Sequence, residues 1–256
     1  MRVTETRSAG RFVWFYLLLS MLFAAATLAL WWGAQYWIGQ LPAGAANADS
    51  DSAPIELPCI ILDPGHGGED GGTVGVDGLL EKNVNLHLAQ LLYDQLTLAG
   101  VPVIMTRTDD RMLYDPAADY RGHKKMLDLR ARLDIVRDTP DSVLLSIHQN
   151  AFGQAKYSGL QVYYSPHHPD SARLAELVQS AARQYLQPDN TRKTKPADSS
   201  IYLLDRSERP AVLVECGFLS NPEECAKLGD DAYLGQLSTV LFTAVCEYLA
   251  DSGAGA

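Results

Sequence analysis

The chain has 256 residues, 47% of them hydrophobic, with 31 acidic against 21 basic side chains and a net charge of −10 at pH 7. Three of the basic and one of the acidic residues precede Asp49, so the remainder carries 18 basic against 30 acidic. That excess removes the positive field a nucleic-acid binder needs, while the length suits one domain with a sizeable core.

In chain order, the first feature is a stretch without charge between Arg11 and Asp49, almost wholly apolar from Phe12 to Trp32. As a helix it would extend roughly 30 Å, enough to cross a bilayer core. Arg2, Arg7 and Arg11 precede it, and Trp31, Trp32, Tyr36 and Trp37 crowd its far end. Positive-inside bias and an aromatic belt predict a cytoplasmic N-terminus over 1–11, a membrane anchor over 12–37 and an extracytoplasmic remainder. The rival is a signal peptide cleaved at Ala43-Gly44-Ala45 or Ala46-Asn47-Ala48, which would release the protein. The apolar run exceeds the usual signal core of about 7–15 residues, which favours the anchor. Residues 38–56, rich in Ala, Asp and Ser, read as a linker, 57–250 as the folded domain and 251–256 as a tail.

Within the domain, Cys59 to Asp63 is a strand, followed by a glycine-rich loop from Gly65 to Gly72 whose spacing does not fit a dinucleotide-binding loop. The leucine periodicity predicts a helix from Glu81 to Ala99, stopped by Gly100. Val101 to Thr106 reads as a strand, Arg107 to Lys125 as a loop, Met126 to Arg137 as a helix and Val143 to Ile147 as a strand. Leu160 to Tyr164 alternates as a strand, Ser171 to Leu186 is helical, and Ile201 to Leu204 reads as a short strand. Ala211 to Glu215 is the last strand; Asn221 and Pro222 then cap and start a helix, and a final helix runs from Tyr233 to Leu249. Strands alternating with helices predict a single α/β domain with a twisted, mostly parallel sheet flanked by helices on both faces. The four cysteines read as buried free thiols, and their spacing is not that of a structural zinc site.

Three strand runs stop at side chains able to bind a metal or move a proton: Ile60 to Asp63 leads into His66, Val143 to Ile147 into His148, and Ala211 to Val214 into Glu215. In parallel α/β sheets such positions converge beyond the carboxyl ends of the strands. With Glu81, two imidazoles and a carboxylate would suit a catalytic metal, leaving Glu215 as a general base. Strand-end histidines are also common as plain polar loop residues, and the wide spacing does not choose between the readings.

The surrounding words are more specific. Leu62-Asp63-Pro64-Gly65-His66-Gly67-Gly68, Leu80-Glu81-Lys82-Asn83, Ser146-Ile147-His148-Gln149-Asn150-Ala151 and Val214-Glu215-Cys216-Gly217-Phe218-Leu219-Ser220-Asn221 resemble, in order, the zinc-dependent N-acetylmuramoyl-L-alanine amidases. The resemblance implies one Zn2+ ion held by His66, Glu81 and His148, a catalytic Glu215, and peptidoglycan as substrate. Met105-Thr106-Arg107, Thr191 to Lys195 and Ile201 to Leu204 are similar to the germination-specific branch found in endospore formers. That branch implies action on spore cortex in the intermembrane space, coupling to a peptidoglycan deacetylase to give muramic-δ-lactam, and a lipoprotein partner.

Asp63 and Asn150 are candidates to orient His66 or His148, with a turn-capping role as the alternative for Asp63. Arg107 is a candidate to hold a substrate carboxylate, or to pair with Asp109 or Asp110. Arg192, in the basic run to Lys195, together with Arg121 to Lys125, either meets peptide carboxylates or forms a solvated face. Glu69 and Asp70 read as solvated loop acids, Arg130 and Arg132 as helix-surface or salt-bridge residues, and His87, His123, His167 and His168 as residues outside the metal set. A zinc peptidase cutting within the stem peptide, and a wall-binding protein without catalysis, are the competing functions.

Overall fold

The computed structural model describes residues 56–115, 117 and 122–253, together with 16, 20–33 and 36. The expected anchor over 12–37 therefore lies in part outside the described residues, as do the segment 1–11, nearly all of the linker and the end of the tail. Residues 16, 20–33 and 36 are helical and exposed. Among the described residues no helix is long and apolar enough to cross a membrane, so the expected spanning helix is not found there. The chain divides into the units Met1–Ile55 and Glu56–Ala256.

The second unit runs β1 (Cys59–Pro64), α1 (Glu81–Leu98), β2 (Val103–Met105), α2 (Lys124–Asp138), β3 (Ser142–Asn150), β4 (Gln161–Tyr164), α3 (Pro169–Tyr185), β5 (Lys195–Pro196), α4 (Tyr202–Arg206), β6 (Ala211–Phe218), α5 (Pro222–Leu228) and α6 (Asp231–Gly253). The strands form one sheet in the order β2-β1-β3-β6-β4-β5. Every pairing is parallel except β4 with β6, so the sheet is mixed but mostly parallel.

Strand alternation explains how the sheet divides its residues between a core and a site. On one face Ile60, Leu62, Val143, Leu145, Ile147, Val212, Val214 and Cys216 enter the main core, packed with residues of α1, α3 and α6. On the other face Ile61, Leu144, Ala211 and Leu213 meet Leu133 and Val136 of α2 and Leu203 and Leu204 of α4. Toward the carboxyl ends this second face turns polar. Asp63 lies opposite Ser146, and His148 opposite Glu215, in the parallel register. All four cysteines are free.

One local expectation is corrected. Ile201–Leu204 is not a strand: the chain turns where Ile201 N–H donates to the Asp198 carbonyl, and Tyr202–Arg206 winds into α4 with Leu203 and Leu204 in the smaller core. A four-residue apolar run carries too little periodicity to separate helix from strand. The end of the basic run enters the short edge strand Lys195–Pro196, whose residues are both exposed. At α5, Asn221 caps as expected, accepting from the Glu223 and Glu224 N–H groups, with Pro222 in the first turn.

Candidate active site

His66 follows β1 by two residues with φ of 62°, a left-handed conformation rare outside glycine and common at functional sites. Two buried arginines hold that backbone. Arg107 donates to the carbonyls of Pro64 (2.8 Å), Gly65 (3.0 Å), Lys82 (2.9 Å) and Asp109 (3.1 Å). Arg132 donates to the carbonyls of Pro64 (3.0 Å) and His66 (2.7 Å), and to the carboxylates of Asp63 (2.6 Å) and Asp128 (2.7 Å). Burial and the neighbouring Arg132 charge pull Arg107 down to about 10, leaving it cationic at neutral pH. Its guanidinium is committed to the loop carbonyls, and of Asp109 it takes the backbone oxygen. The expected carboxylate clamp, or side-chain ion pair, is therefore a backbone clamp in this structure.

Asp63 is likewise a buttress and touches neither histidine. It accepts from Thr106 Oγ1 (2.7 Å) and Ser146 Oγ (2.7 Å) besides Arg132. Burial pushes its carboxyl up, but the Arg132 charge and these hydrogen bonds outweigh burial and bring it to about 2.

Glu81, the first residue of α1, is the hub of the site. Its Oε1 lies 3.2 Å from His66 Nε2 and 3.0 Å from His148 Nδ1, and accepts from the Gln149 N–H at 3.1 Å, while Oε2 accepts from the Thr73 N–H at 2.8 Å. Asn85, one helical turn on, donates to the Gly65 carbonyl and to Glu81 and accepts from Gln149. Burial opposes ionisation of Glu81, but His148 and His66 overcome it and hold the carboxyl far below its ordinary range. Glycines permit the close approach: a Cβ on Gly65 would fall within the His148 imidazole, and one on Gly72, whose φ is +66°, would meet Glu81 Oε2 and the His66 ring.

One ligand atom from each of His66, Glu81 and His148 lies within 4.8 Å of the others. Two imidazoles and an ionised carboxylate gathered in that space are a donor set suited to a zinc-like cation. Asp70, read from the sequence as a solvated acid, instead lies 2.9 Å from His66 Nδ1 and is partly buried. The spacing of four residues to His66 is its only sequence signal. Glu69 is exposed and pairs with Lys124.

Glu215 faces this group from β6, beside His148. It is partly exposed as a residue, but its Oε2 is buried and has no hydrogen-bond partner. Burial pushes its carboxyl up to about 7; His148 and His66 oppose the rise and the Glu81 charge adds to it. A carboxylate poised near neutrality with a free oxygen is equipped to take and return a proton. Asn150 lines the open cleft of about 370 Å3 over His66, Glu81, His148 and Glu215, just past an irregularity in the β3–β6 register. Arg192 lies outside that cleft, on the far side of Gln161 from Glu215.

Two imidazoles and two carboxylates gathered where the parallel strands end are an arrangement suited to a hydrolytic α/β enzyme. The chain belongs to the N-acetylmuramoyl-L-alanine amidase family, whose profile matches residues 60–247. It is 36% identical over 202 residues, 79% of this chain and 84% of the relative, to the germination-specific N-acetylmuramoyl-L-alanine amidase of Bacillus subtilis. The CwlD amidase of Clostridioides difficile, solved in complex with the GerS lipoprotein, superposes with a TM-score of 0.72 at 36% identity, covering 76% of this chain and 99% of that one. The amidase AmiC2 of Nostoc punctiforme gives 0.63 at 29% identity, covering 75% and 97%. The chain is thus an N-acetylmuramoyl-L-alanine amidase acting on peptidoglycan, a substrate that lies outside the cytoplasm.

Proposed function

We propose that the domain works with one Zn2+ ion held by His66, Glu81 and His148, and that Glu215 is its proton carrier. The carrying observation is Glu215 itself, a buried carboxylate near neutrality whose Oε2 has no partner, beside His148. When bound, zinc would supply Lewis acidity toward the lactyl carbonyl and toward water. Glu215 takes the water's proton on Oε2 and delivers it to the departing L-alanine nitrogen, so that the amide leaves as a neutral amine. Arg107 and Arg132 keep the His66 carbonyl and its two predecessors in place, which fixes where the imidazole points. Asn85 and Gln149 orient Glu81 and close its back to water.

The biological setting is spore cortex, where removal of stems lets a deacetylase lead to muramic-δ-lactam. Similarity to the germination-specific amidase of Bacillus subtilis supports this, and similarity to an amidase solved with a lipoprotein supports a lipoprotein partner here. The uncharged, apolar N-terminal sequence, much of it outside the described residues, is the ground for an N-terminal membrane anchor with the catalytic domain outside. Digestion of defined muropeptides by zinc-loaded protein tests the bond: mass spectrometry should find free lactyl groups and intact stems. Internally shortened stems would instead make the protein a peptidase.

A further inference from the structure

A larger groove, about 800 Å3, lies beside the catalytic cleft and contains none of the triad or Glu215. It runs between the 156–161 segment, the 186–195 segment after α3, and the start of α5. In a domain whose residues 57–250 carry 26 acids to 18 bases, this groove gathers Lys156, Arg192, Lys193, Lys195 and Lys227. Two of its three acids are occupied. Glu224 accepts from the N–H groups of Gly159 and Phe218, both at 2.8 Å, and Glu223 pairs with Lys227 at 2.8 Å. Among the described residues, no carboxylate lies within ion-pair distance of Lys156, Arg192, Lys193 or Lys195.

Arg192 differs from an ordinary surface cation because its guanidinium is fixed. Nε donates to the Ser158 carbonyl at 2.7 Å, Nη1 donates to Gln161 Oε1 at 3.0 Å, and the group sits 4.4 Å from the Phe218 ring centre. Its ordering cost is already met within the fold, leaving Nη2 for a planar anion. The groove is also tied to the catalytic end of the sheet. Gln161 on β4 is the direct antiparallel partner of Glu215 on β6, so their side chains share a face. Next to them, Tyr163 pairs in register with Lys195.

We propose that this groove binds carboxylates of the substrate's stem peptide, with Arg192 as the fixed anchor and Lys193 and Lys195 as exposed auxiliaries. The inference rests on Glu215 marking the scissile amide. From that amide the peptide continues to a free carboxyl terminus, whereas the N-acetylated sugar side is neutral, so a cationic groove abutting Glu215 suits the leaving half. A long polyanion fits less well, because the acidic remainder of the domain repels it on either side of the groove.

The test uses zinc-loaded full-length protein and two muramoyl peptides that differ only in having carboxylates or carboxamides along the stem. Wild type should show a KM about tenfold lower for the carboxylate form, as loss of a charge-assisted hydrogen bond requires, and added salt should erode that preference. Arg192→Gln should raise KM for the carboxylate form and shrink the preference to about twofold or less, with the effect on KM exceeding that on kcat. Arg192→Lys, which keeps the charge without the fork, should restore part of it. Lys193→Ala/Lys195→Ala, at exposed positions, carries the same test if Arg192→Gln does not fold. Equal losses on both peptides, or a preference that survives every variant, would overturn the proposal. So would groove-dependent binding of poly(glycerol phosphate) with no peptide preference. Failure of wild type to cleave the lactyl amide at all would count against the reading of Glu215 instead.

Discussion

Asp63→Asn isolates the buttress beneath the site. Asp63 and Arg132 are each 1% exposed and meet at 2.6 Å, so the substitution removes one charge from a dry pair. The wild-type carboxyl sits at about 2 against its ordinary 3.8, which at 1.36 kcal/mol per pKa step corresponds to about 2.5 kcal/mol favouring the folded ionised form. Breaking a buried pair costs about 3–5 kcal/mol. Arg132 keeps Asp128 at 2.7 Å and two carbonyls, which places the loss at the lower end, about 3 kcal/mol. Over a domain of this size that is a fall of about 6–12 °C in Tm. The sign in pH follows from the lowered carboxyl: its contribution is present above about pH 4 and is lost as pH falls toward 2. Urea unfolding of both proteins at pH 7 and through the acid range should show the mutant weaker at neutrality, with the gap closing between pH 4 and 2. A loss under about 1 kcal/mol at pH 7, or a gap that does not change in acid, would refute the assignment of Asp63 and Arg132 as the support of the His66 loop.

Gly65→Ala should abolish cation binding and activity together, because the new methyl group enters the space of the His148 ring; isothermal titration with zinc checks this, and undiminished affinity would contradict the packing. In the ion-free protein, Glu215→Gln should be stabilising at pH 8 by about 1–3 kcal/mol, since burial raises the wild-type carboxyl to about 7 and ionisation above that opposes folding. The advantage should shrink as pH falls from about 7 and be gone below about 4.5, where the wild-type carboxyl is neutral in both states. Melting curves across pH test it.

The strand ends were legible because a period of two puts Asp63, Ser146, His148, Leu213 and Glu215 on one face once the apolar runs are recognised. Glu81 was legible only from its neighbouring words; its position at the start of a helix follows no strand pattern. The reversal of β4 leaves no trace in an alternating run, since a strand reads the same in either direction. Arg132 reads as a helix-surface or salt-bridge residue of a polar helix, and is fully buried because Asp63, 69 residues earlier, and Asp128 neutralise it. Asp70 and Arg107 were misread for a related reason: their partners are the ring and the carbonyls of a loop whose path depends on the left-handed turn at His66.

Zinc content and muropeptide turnover measured on the same preparation of Glu215→Gln test the central claim most directly. One ion per chain should remain bound while hydrolysis falls by about 100-fold or more, the usual scale of a lost general acid–base group. Hydrolysis at the wild-type rate, or loss of the ion with the carboxylate, would show that Glu215 is not the proton carrier beside a separate triad of His66, Glu81 and His148.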